Sequence, residues 1–165
     1  MLLPSDPASG LLLIIAGVLH AVRLVRWAGD RTLADRLVLV LHVAYAFVPL
    51  GFLLLGCAIL WPAMVPASAG LHAWTTGAIG LMTLAVMTRA SLGHTGQPLV
   101  ATRGTQIIYA LAFSAAALRV LAALVGSTVL LHAAGCAWIA AFGGFALVYG
   151  PLLLRHRPAW AEARC

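Results

Sequence analysis

The chain has 165 residues, 63% of them apolar and only 8% charged, with ten basic residues, all arginine, against four acids and a formal net charge of +6. A soluble domain is roughly 45–50% apolar and 25% charged. This chain therefore has too little polar surface to coat a globule, and its basicity is to be read against a membrane rather than as a nucleic-acid surface. Cys57, Cys136 and Cys165 are too few and too scattered for a disulfide framework.

About 20 mainly apolar residues cross the hydrocarbon. Five such runs follow one another here, predicting an all-α, polytopic transmembrane bundle in a single domain of residues 1–165. The first run, 8–27, carries His20 near its end with Arg23 and Arg26, and Arg31 and Arg36 lie in the connection that follows. The second, 37–61, aligns His42, Tyr45 and Pro49 and is closed by Trp61-Pro62 and Pro66.

The third run, 70–88, carries a polar series: His72, Thr76, Gly80, Thr83, Met87 and Ser91 recur at steps of four, four, three, four and four. That spacing predicts one helix face. Arg89 then complements the helix dipole, and Gly93 is the expected left-handed stop. The polar run His94-Thr95-Gly96-Gln97 is left over, open to an anion seat or a proton entry point. The fourth run, 105–125, carries Arg119, the one arginine expected well inside the bilayer, and Gly126-Ser127 makes a tight turn. The fifth, 128–154, places His132 and Cys136 one turn apart, with Gly143 continuing the face and Gly150-Pro151 near its end.

Arginines mark every second connection. Arg23, Arg26, Arg31 and Arg36 flank the first, Arg89 and Arg103 the third, and Arg155, Arg157 and Arg164 the C-terminal tail, whereas the other connections hold none. Because cytoplasmic loops hold the excess of Lys and Arg, the expected orientation is N-terminus outside and C-terminus inside. The first residues lack the basic region and cleavage site of a signal peptide. The first span then inserts as a reverse anchor, or the chain is the C-terminal part of a longer membrane protein; the odd span count favours the second.

Ionisable groups inside a span are costly and by default face a bundle interior and mark a site. His20 lies about 10 Å in from Trp27, and His42 at a similar depth from Arg36; His72 and His132 share a level at the other side. Two pairs, each drawn from two helices, resemble axial ligation of haem or nitrogen ligation of copper. Each histidine alone is as well explained by a hydrogen bond to a neighbouring carbonyl. No Asp or Glu falls within a span, so Arg119 either snorkels to the interface or meets a cofactor carboxylate or a partner from elsewhere. Cys57, Cys136, Met64, His72 and His132 together form a possible soft copper set, against the plainer reading of the cysteines as apolar filler.

Leu71-His72-Ala73, Gly77-Ala78-Ile79-Gly80 and the run Met87-Thr88-Arg89-Ala90-Ser91-Leu92-Gly93-His94-Thr95-Gly96 closely resemble the NnrS family, as does the stretch from Arg23 to Trp27 with Arg31-Thr32, Leu41-His42-Val43-Ala44-Tyr45, Pro49 and Gly51. The resemblance spans residues 9–155. It implies a multi-pass protein of the bacterial inner (cytoplasmic) membrane containing haem b and copper, associated with denitrification, the response to nitric oxide and relief of nitrosative stress. It also implies a missing N-terminal half, since family members are typically more than twice as long, or self-association of a short form.

On this reading His20 and His42 are axial-ligand candidates at one level and His72 and His132 at the other. Arg89, His94 and Arg119 are candidates for a cofactor's carboxylates, and nitric oxide or its metal adducts are the ligand. The residues name no acid, base or electron path for turnover. Two other functions remain open: a small-molecule or proton transporter fragment, with the third-span seam, Pro49, Gly150-Pro151 and Arg119 lining a path, and a structural membrane subunit whose seams dock another chain.

Overall fold

In the computed structural model, residues 6–27 and 34–155 are described; Arg31, His156, Arg157, Arg164 and Cys165 lie outside the described residues, as does the side chain of Arg155. Five helices among the described residues are long and apolar enough to cross a membrane. They are α1 (Pro7–Arg26), α2 (Arg36–Leu60), α3 (Ala67–His94), α4 (Arg103–Val125) and α5 (Thr128–Arg155). The five expected spans are all present; the third is longer than expected at both ends.

Most helices start where the sequence supplies an oxygen for a first-turn amide. Asp6 accepts from Ala8 N at 3.0 Å ahead of Pro7, and Asp35 accepts from Leu37 N at 2.9 Å. Thr102 accepts from Thr105 N at 3.3 Å, and Ser127 from Leu130 N at 3.4 Å. Both acids among the described residues are thus committed to helix N-termini, and no carboxylate is left inside a span.

The end of α3 departs from expectation. Gly93 is not the left-handed stop; it is helical, and Gly96, at φ +66°, takes that role. Gln97 N donates to Leu92 O at 2.9 Å and Gly96 N to Gly93 O at 3.3 Å, the paired bonds of a Schellman cap. Thr95 is buried, and its hydroxyl donates to Ser91 O at 2.7 Å. Most of the unexplained polar run is therefore a helix terminator. Gly96→Ala is expected to lower stability by about 1 kcal/mol through left-handed strain, read as a lower unfolding midpoint of the purified protein.

A second departure lies inside α3, where Ala73–Gly80 is a π-helical segment. Bonding to i+5 carries surplus residue length, and each surplus residue turns the following side chains by about 100°. The expected single polar face is not kept: Gly80 and Ser91 are buried and His72 and Thr76 half-buried, whereas Thr83 and Met87 are exposed.

Short connections make neighbouring helices antiparallel and set them in a row. α1 packs on α2, α3 takes α2 on one side and α4 on the other, and α5 lies along α4 and reaches α3. α2 divides its surface among three neighbours. Leu53 and Leu60 meet Gly17 and Gly10 of α1; Phe47 and Leu55 meet Gly77 and Gly70 of α3; Val43, Leu50 and Leu54 line a groove toward α4. The core runs from Leu37, Ala44 and Phe47 through Leu81 and Leu84 to Ala112, Ala116 and Tyr149. Arg23, Arg26, Arg36, Arg89 and Arg103 gather at one end of the bundle, leaving Arg119 in the opposite half.

Candidate functional site

The seam between α1 and α2 holds the first histidine pair. His20 Nδ1 and Tyr45 Oη share a hydrogen bond of 2.7 Å, and the His20 ring stacks on Phe52 at 5.3 Å with 9° between planes. Trp27 meets Tyr45 at 4.8 Å between ring centroids and His42 edge-on at 6.2 Å. Arg23 lies over the Trp27 ring at 4.8 Å. Farther along, Phe52 meets Trp74 of α3, whose Nε1 donates to Val48 O at 3.0 Å. That bond falls beside Pro49, which cannot donate to the carbonyl one turn back.

His42 is the most informative of these residues. Its Nδ1 donates to Val38 O at 3.2 Å. A carbonyl only accepts, so in the neutral ring the proton sits on Nδ1 and the lone pair on Nε2. That Nε2 is buried and has no hydrogen-bond partner. A ring held by a carbonyl through one nitrogen, with the other bare, has the arrangement of a metal-ligating histidine. His42 thus has the donor chemistry that a single imidazole ligand of a metal would need. No hydrogen bond or ring contact among the described residues joins His20 directly to His42; Tyr45 and Trp27 stand between them.

In the opposite half, His132 Nδ1 donates to Thr128 O at 2.7 Å and the side chain is exposed, while His72 is half-buried. No hydrogen bond or ring contact among the described residues joins these two. Cys57 is half-buried on α2 and Cys136 exposed on α5. The described residues contain no group of three or more His, Cys, Asp or Glu side chains able to hold a metal ion, so the soft copper set is not assembled by this fold. Arg89 and His94 are both exposed at the arginine-rich end of α3.

Arg119 is half-buried and lines a cavity of about 190 Å³ with Thr76, Ala115, Leu131, Gly135 and Trp138. A larger apolar groove separates α2 from α4. Its portion of about 400 Å³ opens beside Arg36 and Gln106, and its portion of about 540 Å³ runs on past Leu50 and Leu121, the two meeting at Val43 and Phe113.

The sequence reading missed a buried hydroxyl cluster at the arginine-rich end. Thr105 Oγ1 bonds Tyr149 Oη at 2.6 Å and Thr102 Oγ1 at 3.0 Å, while Thr88 Oγ1 donates to Leu84 O at 2.7 Å. Tyr109 Oη is buried and forms no well-aligned hydrogen bond, although the Thr88 side chain lies near it. The one signal in the sequence is Thr88, inside the long literal motif beside Arg89. Tyr149→Phe is expected to cost about 1 kcal/mol by leaving the Thr105 hydroxyl short of a partner, measured as a shift in the unfolding midpoint.

No curated protein and no solved structure matches this chain. The NnrS protein family matches it over residues 1–157. That stretch takes in all five helices, the α1–α2 histidine seam, the π segment and the terminator built from the SLGHTG run, and on that extent of match the chain belongs to the NnrS family.

Proposed function

We propose that this chain is a membrane-embedded haem protein of the nitric oxide response, with His42 as the ligand residue. The observation that carries the reading is the bare, buried Nε2 of His42, whose ring is fixed by Val38 O. Membership of the NnrS family supports the physiological setting. A haem held by His42 would supply an iron able to bind nitric oxide.

The chain's own residues do the rest. Val38 O orients the imidazole and fixes its tautomer. Trp27 shields its edge from lipid and water, and Phe52 and Tyr45 hold His20 beside the same seam. Arg23, which lies over the Trp27 ring beside this seam, would be a cation for a propionate. Burial of Nε2 itself, in a ring that is otherwise half-buried, keeps water from competing for the ligand nitrogen. Transport is less well supported, because the groove between α2 and α4 is lined almost wholly by apolar side chains, with Arg36 and Gln106 only at one mouth.

The test is optical. Membranes containing the protein are expected to show a b-type haem band that shifts on addition of nitric oxide. A haem content that stays unchanged in His20→Ala, His42→Ala, His72→Ala and His132→Ala variants would overturn the assignment.

A further inference from the structure

The opposite half of the bundle carries a cation that the haem reading does not use. Arg119 lies six residues inside the end of α4 at Val125, a depth of about 9 Å. It makes no hydrogen bond and no ion pair with any described residue. Both described acids cap helix N-termini, Asp6 ahead of α1 and Asp35 ahead of α2. A guanidinium cannot shed its proton to escape this setting, and in a span it pairs with an anion or reaches the interface.

The geometry points to an oxyanion seat: we propose that the cavity at Arg119 binds one small oxyanion group, either a free ion such as nitrate or the phosphate of an anionic lipid. The volume, about 190 Å³, lies below the roughly 300–1,000 Å³ of sites that enclose drug-sized ligands, so it holds an ion or the tip of a headgroup. The planar fork of Arg119 matches two oxygens at once. Thr76 at the same cavity is already committed, donating its hydroxyl to His72 O. Trp138 lines the cavity, and its indole N–H has no acceptor among the described residues. The remaining lining, Ala115, Leu131, Ala134 and Gly135, is apolar, which strengthens the pull of a lone cation on an anion by lowering the local dielectric.

The full chain, purified in uncharged maltoside micelles, is titrated with sodium nitrate, which quenches tryptophan emission, against sodium chloride at equal ionic strength. The expected result is a saturable component of quenching that disappears in Trp138→Phe. Its midpoint is expected to rise at least tenfold in Arg119→Lys, which keeps the charge and the reach to the interface but loses the two-pronged donor, and to vanish in Arg119→Gln. Gly135→Leu guards against a folding defect at Arg119, because a Cβ at Gly135 meets no atom within 4 Å; it fills the cavity and is expected to abolish the component with Arg119 intact.

The same titration in phosphatidylglycerol nanodiscs separates the sources. A midpoint raised at least tenfold assigns the seat to lipid phosphate, and an unchanged midpoint assigns it to the free ion. Purely unsaturable quenching in micelles, or a saturable component equal in wild type, Arg119→Lys and Arg119→Gln, overturns the proposal. Haem absorbance read on the same samples keeps this result apart from the His42 assignment, since either can fail while the other stands.

Discussion

Replacing Gly51 with alanine is expected to destabilise the protein by about 3 kcal/mol, combining overpacking of a tight core with the loss of a hydrogen bond. An added Cβ would sit 2.2 Å from Trp74 Cδ1 and 2.3 Å from its Nε1. The indole cannot swing aside cheaply, because Nε1 donates to Val48 O and the ring abuts Phe52 at 4.7 Å. Gly77→Ala meets a similar obstacle, with Phe47 Cγ and Cδ1 at 2.3 Å and that ring braced by Phe113. Gly143→Ala is the control, since nothing lies within 4 Å of its Cβ position, and a change within about 0.5 kcal/mol is expected. Unfolding midpoints of the three variants in mixed micelles check the ranking. Equal midpoints for Gly51→Ala and Gly143→Ala would show that α2 and α3 do not approach as described.

His42→Leu is expected to move stability and haem in opposite directions. The bare Nε2 is buried without a partner, and such a group costs about 1–3 kcal/mol. Removing it is expected to raise the unfolding midpoint of the haem-free protein while lowering haem content at least tenfold. Loss of a ligand should exceed the 10–100-fold effect typical of an outer partner. A residue kept only for packing would show the reverse, with a lower midpoint and unchanged haem. Tyr45→Phe is the counterpart: it breaks the 2.7 Å bond to His20, and about 0.6 kcal/mol is expected for a side-chain bond between helices in a bilayer, with haem retained.

The five spans were legible because length, apolarity and punctuation act locally. Trp61-Pro62, Pro66 and Gly126-Ser127 each mark a helix boundary through groups a few residues apart, and the caps Asp6, Asp35 and Thr102, which the sequence reading did not use, act just as locally. The histidines were legible as unusual residues for a span, but their partners were not. His20 meets Tyr45, 25 positions away, and Thr105 meets Tyr149, 44 positions away; such pairings depend on how helices rotate against one another. The polar series of α3 was misread for the same reason. Its spacing assumes one uniform helix, whereas the π segment offsets His72 from the residues after Gly80, in a stretch of ordinary composition. Gly93 is a fitting helix stop by residue type, and only the bond from Gln97 N to Leu92 O and the positive φ of Gly96 move the stop three residues on.

The π segment also changes which kinds of variation the chain can tolerate. Two apolar stripes, one before Ala73 and one after Gly80, are out of phase, and spare backbone between them brings both to bear on the same core. Exchanging one apolar residue for another at exposed Ile79 leaves that phase untouched. Inserting a further residue there would swing buried Leu84 and Thr88 toward lipid and bring Thr83 and Met87 into their places. In this stretch the spacing of the chain, more than its chemistry, is the quantity under physical constraint.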